Sequence, residues 1–396
     1  MITTEYDFVV VGTGVIGATA ALKLARSKPN LRIACVERQP PLSPPQEKNL
    51  KVFALGHLAT EMLDDIGVLA QLEDECLYPY RSMYVWDMAS VGELEFGLDD
   101  ADGKENGRDY LGQMVDGFAL QYLLEQALVA QRNVDVYFEH TVESFSYRNN
   151  VSYLQVSDTE ELAAPLCLAA DGASSALRAL AKIGVHTESY QQLGLVAKIG
   201  VELGHQDTAW QRFLSAGPVA LLPLANNQCS IVWSLPNDEA ERLLQVGEAQ
   251  FCDELSFAVG DKFGALSLQS KRVAFPLLSQ RAESYYAPGL ALLGDAAHVI
   301  HPLAGQGANL GFKDVKCMLS LIEHAVDGNY ADLKILAKYE RIRKSDNELT
   351  DRSMTLLHNA FTEQNSLWSA TRGLGMNLVN RFALAKRMLA QQAIGF

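Results

Sequence analysis

Phe8-Val9-Val10-Val11-Gly12-Thr13-Gly14-Val15-Ile16-Gly17 runs a short apolar segment into a G-x-G-x-x-G loop, and Ala18 to Ser27 continues with helical spacing. A strand over Tyr6 to Val11 and a second over Leu31 to Val36, ending at Glu37, complete a β-α-β unit of the dinucleotide-binding kind. The glycines answer a need for close approach. Gly12 permits the tight turn, Gly14 leaves room for a pyrophosphate, and Gly17 lets helix and strand pack. Unpaired N–H groups and the dipole at the helix start, around Val15, then favour phosphate. Glu37 stands where a carboxylate accepts hydrogen bonds from two ribose hydroxyls and repels a 2′-phosphate, although the neighbouring Arg38 weakens that exclusion. FAD and NAD both satisfy this pattern.

Two later segments discriminate between them. Leu166 to Ala170 reads as an apolar strand ending in Asp171-Gly172-Ala173-Ser174-Ser175-Ala176-Leu177-Arg178, which suits either a turn beside a nucleotide or an ordinary helix cap by Ser174 or Ser175. Gly289 to Leu293 is a buried-strand run that delivers Gly294 and Asp295 to the edge where α/β sheets bind ligands. A carboxylate there is repelled by pyrophosphate, so Asp295 suits a sugar-like hydroxyl, and FAD has a ribityl chain. Next come His298, His301, Pro302 and Gly305-Gln306-Gly307-Ala308-Asn309, then a helix. Small residues at a helix start let a flat ring lie on backbone, and the dipole stabilises negative charge there by about 0.3–1 kcal/mol. His298 reads as a satisfied structural histidine; His301 is open. Two histidines three apart without a carboxylate cluster make a poor metal site.

Around these motifs the 396 residues, 48% hydrophobic, allow about two domains and argue against disorder. With 33 Lys/Arg against 48 Asp/Glu, the net charge of −15 disfavours a nucleic-acid partner. No apolar run reaches the roughly 20 residues of a membrane helix and no signal sequence opens the chain, so a cytoplasmic location is expected. Six scattered cysteines without a C-x-x-C pair read as reduced thiols, mostly core.

The expected elements include helices over Leu58 to Ile66, Leu120 to Arg132 and Asp238 to Leu255, and strands over Val196–Val201, Val219–Leu222, Cys229–Ser234 and Leu268–Phe275. Met83 to Asp109 is strand-like and then acidic, an excursion into another domain; Leu310 to Val326 and everything from Leu333 onward read helical. The expectation is an α/β fold. Residues 1–75, 110–185 and 284–330 form a Rossmann-like dinucleotide domain from discontinuous segments. Residues 76–109 and 186–283 form a mostly β substrate domain, and 331–396 a helical segment.

With three motifs in hand, the chain resembles the FAD-dependent aromatic-ring monooxygenases, and among them the ubiquinone-biosynthesis hydroxylases. The run from Gly294 to Gly311 is the most specific, supported by Tyr84-Val85-Trp86-Asp87, by the segment from Gly217 to Leu224 and by Cys229 to Ser234. The resemblance implies a para-hydroxybenzoate hydroxylase-like fold. It implies that Gly12, Gly14, Val15, Gly17 and Glu37, with Arg38 beside them, hold the ADP half of FAD, and that Gly294 and Asp295 meet the ribityl chain. Pro302 and Gly305, Gln306, Gly307, Ala308 and Asn309 would border the flavin ring. Asp171 and Gly172 would lie near the pyrophosphate. Lys51 stands where relatives usually carry arginine and offers a point charge in place of a bidentate fork; Val115-Asp116-Gly117 stands where they carry Val/Ile-Glu-Asn.

The implied chemistry belongs to the cofactor: NAD(P)H or another electron donor reduces FAD, O₂ forms a flavin hydroperoxide, and its distal oxygen passes to a phenol ring. A polyprenyl phenol is the implied substrate. Each five-carbon unit of its tail is worth about 4 kcal/mol of burial, so the enzyme meets it at a membrane surface or takes it from a lipid-binding partner. Asn365 to Phe396 has no acidic residue, and Leu374, Leu378, Phe382, Ala385 and Leu389 share one helical face. That face suits either peripheral docking on anionic lipid or packing on the body. A homo-oligomer or a biosynthetic complex is compatible with this picture. So are a prenyl reductase of the same fold and a non-catalytic FAD-binding scaffold. A flavin halogenase fits less well, because the W-x-W-x-I-P signature is missing.

Overall fold

The computed structural model describes residues 2–45, 50–88, 92–101, 109–300, 307–325 and 328–362. Among them, a six-stranded sheet runs in the order Tyr286–Ala287, Leu290–Leu292, Leu166–Ala169, Phe8–Val11, Ile33–Glu37, Val134–Phe138. Its pairings are parallel except the first. Phe8–Val11 and Leu166–Ala169 are buried at every position, as parallel strands covered on both faces must be. The Val15–Ser27, Gly117–Ala130 and Gly307–Glu323 helices pack around this layer. Asp116 starts the Gly117–Ala130 helix by accepting hydrogen bonds from the N–H groups of Phe118 and Ala119, at 3.0 and 3.1 Å.

The second layer is a nine-stranded sheet. Its main path is His298–Val299, Val273–Ala282, Val185–Val201, Gln228–Pro236, Val219–Leu224, Thr208–Phe213, Ser82–Asp87, Glu93–Gly97, and Leu266–Leu268 also pairs with Val185–Val201. Ser82–Asp87 joins parallel to Thr208–Phe213, so an early piece of chain is sewn onto a late one. Three buried clusters form among the described residues, and two of them follow the two layers. One draws on residues from Tyr6 to Leu177 and from Ala282 to Tyr339, the other on Trp86 and residues from Leu195 to Phe263.

Two expected elements divide. The helix over Asp238 to Leu255 is a pair, Asn237–Gln245 and Glu248–Val259, because Val246 and Gly247 are extended between them. The strand over Leu268–Phe275 is Leu266–Leu268 and Val273–Ala282. Both pair with Val185–Val201, at Ile199↔Leu268 and Val196↔Val273, so the chain must loop out between them. All six cysteines are unpaired, and Cys35, Cys167 and Cys229 are buried. No helix among the described residues is long and apolar enough to cross a membrane. The amphipathic face expected within 365–396 lies outside the described residues.

Candidate active site

Because the strands Phe8–Val11, Ile33–Glu37, Leu166–Ala169 and Leu290–Leu292 run parallel, they end on one sheet edge. They bring the Gly12–Gly17 loop, Glu37, Asp171 and Asp295 there together. Gly12 has φ +93°, and a Cβ on it would stand 2.5 Å from the Ala170 carbonyl oxygen; one on Gly17 would stand 2.0 Å from the Gly12 oxygen. These two glycines are fixed by backbone contact. Gly14 is different: it begins the Val15–Ser27 helix with no side-chain cap, and no atom lies within 4 Å of where its Cβ would be. The site keeps an open cradle in front of uncapped N–H groups, the geometry an anion needs.

Glu37 is oriented from behind. One oxygen accepts hydrogen bonds from the N–H and hydroxyl of Thr13, at 2.9 and 3.0 Å, and the other from Gln39 N–H at 3.0 Å. Arg38 is exposed beside it. Asp171 turns into the fold: Oδ2 accepts from Leu177 N–H at 3.1 Å and Oδ1 is buried without a partner. Ser175 caps the same short helix through Arg178 N–H. The capping alternative raised by the sequence is therefore present, and Gly172 (φ +85°), with no atom within 4 Å of its would-be Cβ, is the open part of this turn.

Asp295 follows Gly294 (φ +57°) and is exposed. Enough protein surrounds it for desolvation to raise its carboxyl above the ordinary range, with His298 and Lys51 pulling the other way. Gly307, Ala308 and Asn309 open the Gly307–Glu323 helix. The Asn309 side chain donates to the Ala54 carbonyl at 2.8 Å and accepts from Gly56 N–H at 2.9 Å, which ties that helix start to the strand bearing Val52–Leu55. Gly311 lets the helix approach the glycine loop, since a Cβ there would meet Ile16 at 2.7 Å. His301, Pro302, Gly305 and Gln306 lie outside the described residues.

Sequence reasoning missed Asp314 and Arg343. Asp314 is fully buried; it accepts from Gly294 N–H at 2.9 Å and His298 Nε2 at 2.7 Å, and on its other oxygen from Arg343 Nε at 2.7 Å. Burial by itself would raise the Asp314 carboxyl, but His298 and Arg343 hold it below the ordinary range. His298 is thus a structural histidine, held by a partner sixteen residues further on in the Gly307–Glu323 helix.

A cavity of about 480 Å³ lies between this edge and the nine-stranded sheet. Lys51, Val52, Ala54 and Asn309 line one wall, and Val196, Ala220, Leu222 and Val232 are on the other. Lys51 Nζ sits 5.0 Å from the Phe53 ring centre. Among the described residues, Lys51 is the charged one lining this space.

A mostly parallel sheet with a glycine loop, facing a mostly antiparallel sheet across an apolar cavity, is the architecture of the FAD-dependent monooxygenases with a para-hydroxybenzoate hydroxylase-like fold. The FAD binding domain family matches residues 5–352, and the chain belongs to it and, within it, to the flavin monooxygenases of ubiquinone biosynthesis. It is 29% identical over 391 residues to 3-demethoxyubiquinol 3-hydroxylase of Escherichia coli strain K12, covering 98% of each chain. It is 30% identical over 401 residues to ubiquinone hydroxylase UbiL of Rhodospirillum rubrum, covering 98% of this chain and 89% of the relative. In fold it is similar to p-nitrophenol 4-monooxygenase PnpA of Pseudomonas putida DLL-E4, with TM-score 0.78, 17% identity and 100% and 99% coverage. Another similar fold is PqsL, a probable FAD-dependent monooxygenase of Pseudomonas aeruginosa, with TM-score 0.77, 22% identity and 94% and 100% coverage.

Proposed function

We propose that this chain hydroxylates the aromatic ring of a polyprenylated phenol in ubiquinone biosynthesis, using FAD, O₂ and NAD(P)H or another electron donor. The observation that carries the reading is the cavity of about 480 Å³ next to the sheet edge, in the size range of drug-sized ligand sites and with a predominantly apolar lining. Bound FAD supplies electron transfer and oxygen activation that no side chain here provides.

The chain's own residues bind, orient and exclude water. The Gly12, Gly14 and Gly17 loop with the helix start at Val15 would hold the pyrophosphate, and Glu37, fixed by Thr13, would hold the adenosine ribose. Gly172 would let the dinucleotide pass close, with Asp171 fixing that turn. Asp295, after Gly294, would accept from the ribityl hydroxyls. Gly307, Ala308 and Asn309 would border the ring system, with Lys51 at its rim. The open cradle at Gly14 and the exposed carboxylate of Asp295 fit such a ligand. Aligning the phenol ring against the cofactor in a dry cavity is worth more than any acid or base the lining offers.

We assign residues 1–75, 110–185 and 284–330 to the cofactor unit, 76–109 and 186–283 to the substrate unit and 331–396 to a helical appendage; two of the three buried clusters divide nearly this way, and the third, with Ala54, Leu111 and Met114 against Tyr80, Phe96 and Ala209, joins the two units. Substrate delivery from a membrane surface or a lipid-binding partner accompanies the reading. The test is turnover of FAD-loaded protein with ¹⁸O₂, NADH or NADPH, and a prenylated phenol. A phenol product carrying one ¹⁸O is expected, with reductant consumed faster when phenol is present. Reductant consumption indifferent to phenol, yielding hydrogen peroxide only, overturns it.

A further inference from the structure

The inner face of the nine-stranded sheet carries one cross-strand row whose members all line the cavity. Gln211 pairs with Ala220, Ala220 with Val232, Val232 with Val196 and Val196 with Val273, and all five line the cavity. Four strand spacings of about 4.8 Å make this row roughly 19 Å long. Polarity is confined to its Gln211 end. Exposure rises at the other: Val196 is 7% exposed, Val273 42%, and Phe275, also lining the cavity, 41%. Phe275 pairs with Gly194, and a Cβ at Gly194 would stand 3.1 Å from the end of its ring, so the missing side chain lets the ring lie across the sheet. Two large apolar side chains open to solvent at a cavity mouth are a cost that a ligand passing over them would remove.

We propose that Val273 and Phe275 form the exit of an isoprenoid track, over which the substrate's tail leaves the cavity along the Val232, Val196, Val273 row. This rests on the reading of the substrate as a polyprenylated phenol and adds where its tail lies. A cavity of this volume takes about one drug-sized ligand, so a ring with a long polyprenyl tail overfills it. The tail must leave, and this rim is apolar.

The test uses FAD-loaded protein and two probes, 2-prenylphenol and 2-farnesylphenol, with dissociation constants from equilibrium titration and flavin content from absorbance. Wild-type protein is expected to bind the farnesyl compound at least about tenfold more tightly. Val273→Glu and Phe275→Glu are expected to bring that ratio to about unity, while Phe257→Glu, on an exposed phenylalanine that does not line the cavity, preserves it. All three positions are exposed, so the charge costs the fold little. A ratio that survives Val273→Glu and Phe275→Glu overturns the track. So does loss of FAD from those variants, which would assign the rim to the flavin. Failure of wild-type protein to bind either phenol would instead sink the substrate reading.

Discussion

His298 Nε2 lies 2.7 Å from Asp314 Oδ2, and both side chains are buried. Arg343 closes the other Asp314 oxygen and also bonds Asp346 and Asn347, so this carboxylate is the hub of a polar network beneath the glycine that precedes Asp295. Asp314→Asn leaves Arg343 without its buried counter-charge. Breaking such a pair costs about 3–5 kcal/mol, and urea denaturation is expected to show a loss of that order together with weaker FAD retention.

The same carboxyl gives the fold an acid limb. It is held below its unfolded value of about 3.9 by His298 and Arg343, against the desolvation that would raise it. Its contribution is therefore complete above the unfolded value and disappears as pH falls through the lower folded one. Thermal midpoints measured downward from about pH 5 should fall more steeply for the wild type than for Asp314→Asn.

Gly14 and Gly17 should part company on mutation. Gly14→Ala adds a Cβ with no atom beyond its chain neighbours and helix backbone within 4 Å, so the fold should lose no more than the roughly 1 kcal/mol of a poorer helix start while FAD affinity falls at least about tenfold. Gly17→Ala drives a methyl into the Gly12 oxygen and should reduce folded yield itself. Flavin fluorescence titration beside circular dichroism separates the two.

Asp295 should show opposite effects on stability and binding. Its carboxyl is raised by desolvation, so the unfolded chain favours ionisation more than the native one does, and stability is lost as pH rises from the unfolded value through the raised one. Asp295→Asn should raise the melting point of cofactor-free protein at neutral pH and weaken FAD binding. A variant that binds FAD as tightly as wild type would remove the ribityl role.

Burial pushes the thiols of Cys35 and Cys167 up to about 12. Iodoacetamide on native protein at pH 8 should leave both unmodified, and mass spectrometry of tryptic peptides reads the outcome.

What the sequence made legible was local. The glycine loop with its flanking strands and Glu37, and the strand that carries Asp295, each announce themselves within a few tens of residues. The break at Val246-Gly247 escaped detection because apolar spacing continues across it at helical period. Thr208–Phe213 escaped because Trp210-Gln211-Arg212 shows no alternation of apolar and polar residues, and its place is set by parallel pairing to Ser82–Asp87. Asp314 and Arg343 look like ordinary helix-surface charges. Only tertiary packing makes them buried partners, and no periodicity encodes that. Asn309 shows the same limit: the hydrogen bonds of its side chain to the backbone of Ala54 and Gly56, 255 and 253 residues earlier, have no signal in the local sequence.

The pairing of Leu166–Ala169 with Leu290–Leu292 has a consequence for biosynthesis. More than a hundred residues separate the partners. At roughly 5–20 residues per second, a nascent chain holds an apolar strand edge unsatisfied for on the order of ten seconds. The Ser82–Asp87 strand waits a comparable time for Thr208–Phe213. Ribosome-bound chaperones should engage this polypeptide across that interval, and translation pauses placed within it should favour aggregation.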